Sequence, residues 1–271
     1  MIKISAAVAA VTLAACSSPQ DMGDAVGIDP VSASEASGET LDERLADREN
    51  PREIKIENDQ MKFAFSWPAE AVAIPALDAV FEARAKAEQD KFAAMTAEAK
   101  ADAEEYGYPY RAYDFSKGWD VAGDTPRLMS LAAGTYAYTG GAHGNSWFDS
   151  MVWDRENGTQ MAQTDLFATP AALEGAVREA YCTGLKAERT ERLGENTMNG
   201  TGIFDSCPAL EELVVVLGSS TGTAFDTINL LAAPYVAGSY AEGPYEVTVP
   251  VTQAVIDAAK PDYREAFAVG S

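Results

Sequence analysis

The chain has 271 residues, 47% of them apolar, with 42 acidic side chains against 20 basic ones and a single histidine. That is enough apolar material for a packed core, so most of the chain is expected to be globular. A formal net charge of −22 argues against a nucleic-acid partner, whose phosphates demand a basic surface, and against a chain lying flat on anionic lipid.

In chain order, Met1-Ile2-Lys3 is a short start with one positive charge, and Ile4 to Leu13 is an apolar stretch interrupted by Ser5 and Thr12. Its length suits a secretory signal and falls short of the roughly 20 apolar residues a membrane-spanning helix needs. It closes on Leu13-Ala14-Ala15-Cys16, which resembles the lipobox of bacterial lipoproteins. The resemblance implies removal of residues 1–15 and acylation of Cys16 and its new amine. Two or three acyl chains hold a protein to a bilayer where one does so only marginally. Ser17 after the cysteine implies the outer membrane, facing the periplasm, in a cell with two membranes. In a cell with one, the anchor sits on the extracellular face. Residues 16–52 then read as the lipidated cysteine and a flexible acidic tether. They are rich in Ser, Asp, Glu, Gly and Pro and too poor in large apolar groups to offset chain entropy.

Order is expected from Ile54. Ile54 to Glu57 and Met61 to Trp67 alternate apolar and polar residues, as half-buried strands do. A long helix follows from about Ala76 to Glu105, with Leu77, Val80, Phe81, Ala85, Phe92 and Met95 on one stripe and Glu82 paired with Lys86 outside. Gly118 to Ala122, Leu128 to Tyr138 and Ser146 to Trp153 read as short strands, and Asn157-Gly158 as a hairpin turn before Gln160-Met161. Thr169-Pro170 starts a second helix running to about Leu193, with Leu173, Val177, Tyr181 and Leu185 four residues apart. Leu213 to Leu217, Thr227 to Leu231 and Tyr245 to Val251 are strands, and Thr252 to Phe267 a closing helix. The expected fold is α+β: antiparallel sheets with two or three packed helices, preceded by the disordered tether. We divide the folded part into an N-terminal α+β subdomain at 53–167 and a C-terminal one at 168–271.

Cys182 and Cys207 remain as an even pair in an exported chain, and they are expected to form a disulfide. They are too far apart for a C-x-x-C redox motif, and one histidine is too few for a usual zinc set, so neither metal nor cofactor is expected.

Two motifs bear on chemistry. Tyr138-Thr139-Gly140-Gly141-Ala142-His143-Gly144-Asn145 places the only histidine in a Gly-rich loop at a strand end. Tyr138, Gly140, Gly141, His143 and Asn145 are the candidate ligand-binding residues, although a structural role, with the glycines permitting a tight bend and His143 satisfied by neighbouring backbone, is favoured over direct ligand contact. Gly218-Ser219-Ser220-Thr221-Gly222 matches the G-x-S-x-G elbow of serine hydrolases. No histidine follows Ser220, and the residues after it read as a returning strand, so a hairpin turn is expected instead.

The stretch Tyr136-Ala137-Tyr138-Thr139-Gly140-Gly141-Ala142-His143-Gly144, with Thr164-Asp165-Leu166-Phe167 further on, resembles a domain of unknown function in bacterial envelope proteins. That domain forms the extracellular part of the anti-sigma factor RsiV and an N-terminal region of the peptidoglycan deacetylase PdaC. Ala233 to Pro244, which includes Tyr235-Val236-Ala237-Gly238-Ser239-Tyr240, and then Val247 to Pro250 resemble its C-terminal half. The likeness spans roughly residues 52–268. It implies a non-catalytic envelope binding module, since RsiV binds lysozyme and the deacetylase chemistry of PdaC belongs to a separate domain. The implied partners are the bilayer through Cys16 and a lysozyme-like protein or peptidoglycan. The alternative is an envelope hydrolase using His143 with a carboxylate or with Ser220.

Overall fold

The computed structural model describes residues 50–194, 202 and 204–270. The expected signal peptide, Cys16 and nearly all of the tether lie outside the described residues. The first ordered elements are β1 (Arg52–Glu57) and β2 (Met61–Trp67), an antiparallel hairpin in which Ile54 faces Phe65. The Asn58 side chain closes the turn by accepting from the backbone N–H of Gln60 and Met61, each at 2.9 Å. A short helix α1 (Ala69–Val72) and the long α2 (Pro75–Tyr106) lead to β3 (Tyr113–Asp124), β4 (Leu128–Tyr138), β5 (Asn145–Asp154) and β6 (Thr159–Met161). These six strands form one sheet in chain order. All its pairings are antiparallel except β2–β3, which is parallel. A parallel pair needs a long crossover, and α2 supplies it. The architecture is α+β, as expected.

The crossover helix covers one face of this sheet. Leu77, Phe81, Ala85 and Phe92 of α2 bury against Phe63, Phe65 and Trp67 of β2, Phe115 and Trp119 of β3, and Met129 and Leu131 of β4. Phe63 stacks on Phe115 with ring centroids 5.2 Å apart. Beyond Phe92 the buried stripe continues through Thr96 and Ala103, and Met95 lies exposed at its edge. The stripe drifts because 3.6 residues per turn does not match the spacing of the buried positions. The expected Glu82–Lys86 pair does not form. Glu82 bonds Arg52 of β1 instead, and Lys86 pairs one turn onward with Asp90 at 2.8 Å. Arg52 also meets Asp78 at 3.0 Å, and Asp78 accepts from the Trp67 indole N–H at 2.9 Å. Charge is thereby compensated inside a core that would otherwise reject it.

The second half contributes α3 (Pro170–Leu193), β7 (Val214–Gly218), β8 (Thr227–Ala232), β9 (Tyr245–Pro250) and α4 (Gln253–Ala258). Thr169 caps α3 by accepting from Ala172 N–H at 3.1 Å. Leu173, Val177, Tyr181 and Leu185 are buried as their spacing required, against Val215, Leu217, Leu230, Val247 and Val249. The Cys182–Cys207 disulfide is formed and ties α3 to the segment before β7. The three strands make an antiparallel sheet in the order β7-β8-β9. The expected closing helix from Thr252 to Phe267 is shorter: α4 stops at Ala258, and a 3-10 turn covers Pro261–Ala266. Pro261 disfavours helical backbone at Lys260, and Ala259 bridges to Phe167 instead.

The two sheets meet through β7. Ala132 and Phe148 of the large sheet pack on Val216 and Leu231 of the small one. The outer edge of β7 is satisfied by side chains. Ser150 of β5 donates to Val215 O at 2.8 Å, and Leu217 N–H donates to Gln163 Oε1 at 3.3 Å. The Gln163 amide nitrogen in turn donates to Ser130 Oγ at 2.8 Å and Met151 O at 3.0 Å, in a side chain only 2% exposed. A buried polar group left without its partner costs about 1–3 kcal/mol. Gln163→Leu is therefore expected to destabilise the fold by at least about 2 kcal/mol, because it orphans groups on both sheets at once. Urea unfolding monitored by tryptophan fluorescence measures this, and an unchanged midpoint would contradict it.

Candidate functional site

The Gly-rich loop joins β4 to β5, and its shape follows from its residues. Gly140 (φ 97°) and Gly141 (φ 85°) both take left-handed backbone that side chains rarely adopt. Gly144 is required by close approach, because a Cβ there would fall 2.4 Å from the Tyr136 ring. Tyr138 closes the bend by donating from its hydroxyl to Gly141 O at 3.2 Å, with Arg111 over its ring at 5.1 Å. The loop therefore projects His143 outward, with Nδ1 2.8 Å from Gly144 O.

His143 meets an element far away in the sequence. Its ring stacks on Tyr240, with centroids 3.9 Å apart and planes 20° from parallel. Tyr235 lies beside Tyr240 at 5.9 Å and is 54% exposed. Together the three rings form an aromatic ledge built from the β4–β5 loop and the β8–β9 connection. Tyr235 has φ 73°, the one positive value at a non-glycine among the described residues. For a bulky side chain this is a strained conformation, of the kind retained where surroundings enforce it.

The enforcing contacts come from α3. Arg189, only 3% exposed, donates to Ala237 O from Nε at 3.0 Å and from Nη2 at 2.6 Å. Arg192 donates to Pro244 O at 2.6 Å and lies over the Tyr245 ring at 4.2 Å. Glu242 Oε1 accepts from Ser239 N–H at 2.8 Å, and its Oε2 accepts from the Tyr245 hydroxyl at 2.7 Å. Burial works against the Glu242 carboxylate, but the Ser239 and Tyr245 hydrogen bonds outweigh it and hold its pKa below the ordinary value. Burial, then the bond to Glu242, pushes the Tyr245 hydroxyl up to about 12.

Of the expected site residues, the structure brings Tyr138, Gly140, Gly141 and His143 into one loop beside the ledge. Asn145 opens β5 opposite Ala137 and is exposed. Tyr235 and Tyr240 were not singled out, although their Tyr-Val-Ala-Gly-Ser-Tyr segment carries part of the resemblance. Ser220 sits in the β7–β8 turn, where its hydroxyl and backbone N–H both bond Asp226. No hydrogen bond joins His143 to Ser220 or to a carboxylate among the described residues, and no group of three His, Cys, Asp or Glu among them could hold a metal.

Residues 54–146, ending just past this loop, match the family model described as Deacetylase PdaC. This part of the chain is similar to that family. The fold is that of a DUF3298 family protein of Pseudomonas aeruginosa, 18% identical, with a TM-score of 0.51 over 82% of this chain and 98% of that one. A DUF3298 family member from Bacteroides fragilis is 15% identical, with a TM-score of 0.45 over 82% and 94%. No curated protein matches the sequence. The family-model match therefore reaches the Gly-rich loop, while Tyr235 and Tyr240 come from beyond the PdaC-like segment.

A group with a depressed folded pKa contributes stability that is present above its unfolded value and lost as pH falls through the folded one. For Glu242 the unfolded value is about 4.3. The Ser239 amide is thus expected to lose hydrogen-exchange protection as pH falls below that value. Glu242→Gln is expected to remove that acid step.

Proposed function

We propose that this chain is a non-catalytic binding module of the bacterial envelope, held to a membrane by acylated Cys16. The observation that carries the binding reading is the ledge of His143, Tyr240 and Tyr235. Partly exposed rings on a rigid support give contact area at low entropy cost, and their flat faces suit the apolar faces of sugar rings. The strained Tyr235 supports the same reading, since strain of this kind concentrates at ligand clamps. That no carboxylate among the described residues bonds His143 favours binding over turnover. A cell-wall glycan is the ligand class that the ledge fits best. A cationic wall-degrading enzyme such as lysozyme is the second, favoured by the net charge of −22.

No helix of the described residues is long and apolar enough to cross a membrane. The lipobox-like Leu13-Ala14-Ala15-Cys16 supports lipid as the tether, and Ser17 supports the outer membrane, facing the periplasm, in a two-membrane cell.

Two measurements test this. Tyr240→Ala should weaken binding to soluble peptidoglycan fragments or lysozyme by about tenfold or more, the loss typical of a central aromatic contact. Its thermal midpoint should stay within about 4 °C of the parent. Pull-downs at physiological salt that recover neither ligand would sink the binding reading. Cys16→Ser should move the protein from the detergent phase to the aqueous phase in Triton X-114 partitioning of expressing cells, and an unchanged partition would contradict the anchor.

A further inference from the structure

A second concave site lies on the α2 side of the large sheet, sharing no residue with the ledge. It is a pocket of about 330 Å³ lined by Phe65, Trp119, Arg84, Lys91, Lys117, Glu88 and Asp149, with Ala87 at its side. At this size it sits at the lower end of small-molecule sites. Three cationic side chains face two anionic ones, leaving one net positive charge in a protein whose total is −22.

The charges are not matched pairwise. Lys117, 8% exposed, is neutralised by Asp149 at 2.6 Å. Arg84 is half-buried and has no carboxylate of the described residues within ion-pair distance. One of its amino groups donates to Gln160 Oε1 at 2.7 Å, and its guanidinium lies 5.4 Å from the centre of the Trp119 ring. Lys117 Nζ lies 5.4 Å from the same ring. Both cations thus lie near one indole, and of the two only Lys117 has an ion-pair partner among the described residues. Burial lowers the Arg84 pKa from its ordinary value, and the charge of Asp149 only partly restores it. Trp119 is 3% exposed, and its indole N–H is buried without a hydrogen-bond acceptor among the described residues.

We infer that this pocket binds a small monocarboxylate, whose carboxylate bonds Arg84 and whose apolar body lies against Phe65 and Trp119. One net positive charge suits one negative charge, and a guanidinium presents its donors in the planar fork that a carboxylate matches. A doubly charged phosphate would leave a charge uncompensated against Glu88 and Asp149.

Hexanoate is the probe, with hexanamide as its neutral analogue and inorganic phosphate as the dianion. Binding is read from the NMR signal of the Trp119 indole N–H in the full chain, assigned by its loss in Trp119→Phe. Hexanoate is expected to shift this signal saturably, while hexanamide and phosphate leave it in place. Arg84→Gln should weaken hexanoate by about tenfold or more. Glu88→Gln should tighten it by about two- to threefold, which keeps the test alive if Arg84→Gln folds poorly. Hexanamide acting like hexanoate, phosphate binding in its place, or Arg84→Gln binding unchanged while folded would each overturn the inference. So would no shift up to on the order of 50 mM hexanoate.

Discussion

The arrangement of this molecule hangs on how the edge of β7 is satisfied. An edge strand carries unpaired backbone groups that must find partners or water. In this protein the edge is turned inward, onto the large sheet, where water is excluded. Ser150, donating to Val215, and Gln163, accepting from Leu217, take the place of a fourth strand on the small sheet. Gln163 can do this because β6 is only three residues long. Its pairing with β5 ends at Val152, and the next carbonyl along, Met151 O, accepts from the Gln163 amide. One side chain therefore completes two sheets, and its satisfied network specifies their relative placement in a way that apolar contact alone would not.

That placement is what allows the aromatic ledge to exist. The β4–β5 loop belongs to the large sheet, and the β8–β9 connection to the small one. His143 and Tyr240 can stack only if both ends come to the same place. The support beneath them is asymmetric. On one side glycines and Tyr138 shape the loop through its own backbone. On the other, Arg189 and Arg192 reach from α3 and hold the carbonyls of Ala237 and Pro244, with Glu242 and Tyr245 closing the segment on itself. The strained backbone at Tyr235 persists because these contacts over-determine it.

The long helix has an equally specific part. As the crossover between parallel β2 and β3 it must run back along the sheet, and its buried stripe drifts around it over eight turns or so. Near its first turns the stripe meets the compensated Arg52–Asp78–Trp67 group. Further along, Arg84 lies beside Trp119 and opposite the Lys117–Asp149 pair. The two neighbourhoods use the same residue types differently. In one a single cation is held by two carboxylates, and in the other one cation is left over.

The sequence by itself determined the local elements, because their signals are local. Alternation marked β2 and β9, four-residue spacing marked α3, Thr169-Pro170 marked its start, and Asn157-Gly158 marked the last hairpin of the large sheet. The even cysteine pair was sufficient for the disulfide, and Gly-Gly-Ala-His for the projecting loop and the family likeness. What only the tertiary structure decided involves residues whose partners are distant in the chain. Arg189 continues the four-residue stripe of α3, yet a charge there reads as solvent-facing until Ala237 O is brought to it. Glu82 reads as a partner for Lys86 until Arg52 comes nearer. Tyr235 and Tyr240 read as ordinary turn residues until His143 arrives from some 97 positions away. Periodicity and turn chemistry act over a few residues, whereas burial, charge compensation and ring stacking depend on which segments the two sheets bring together.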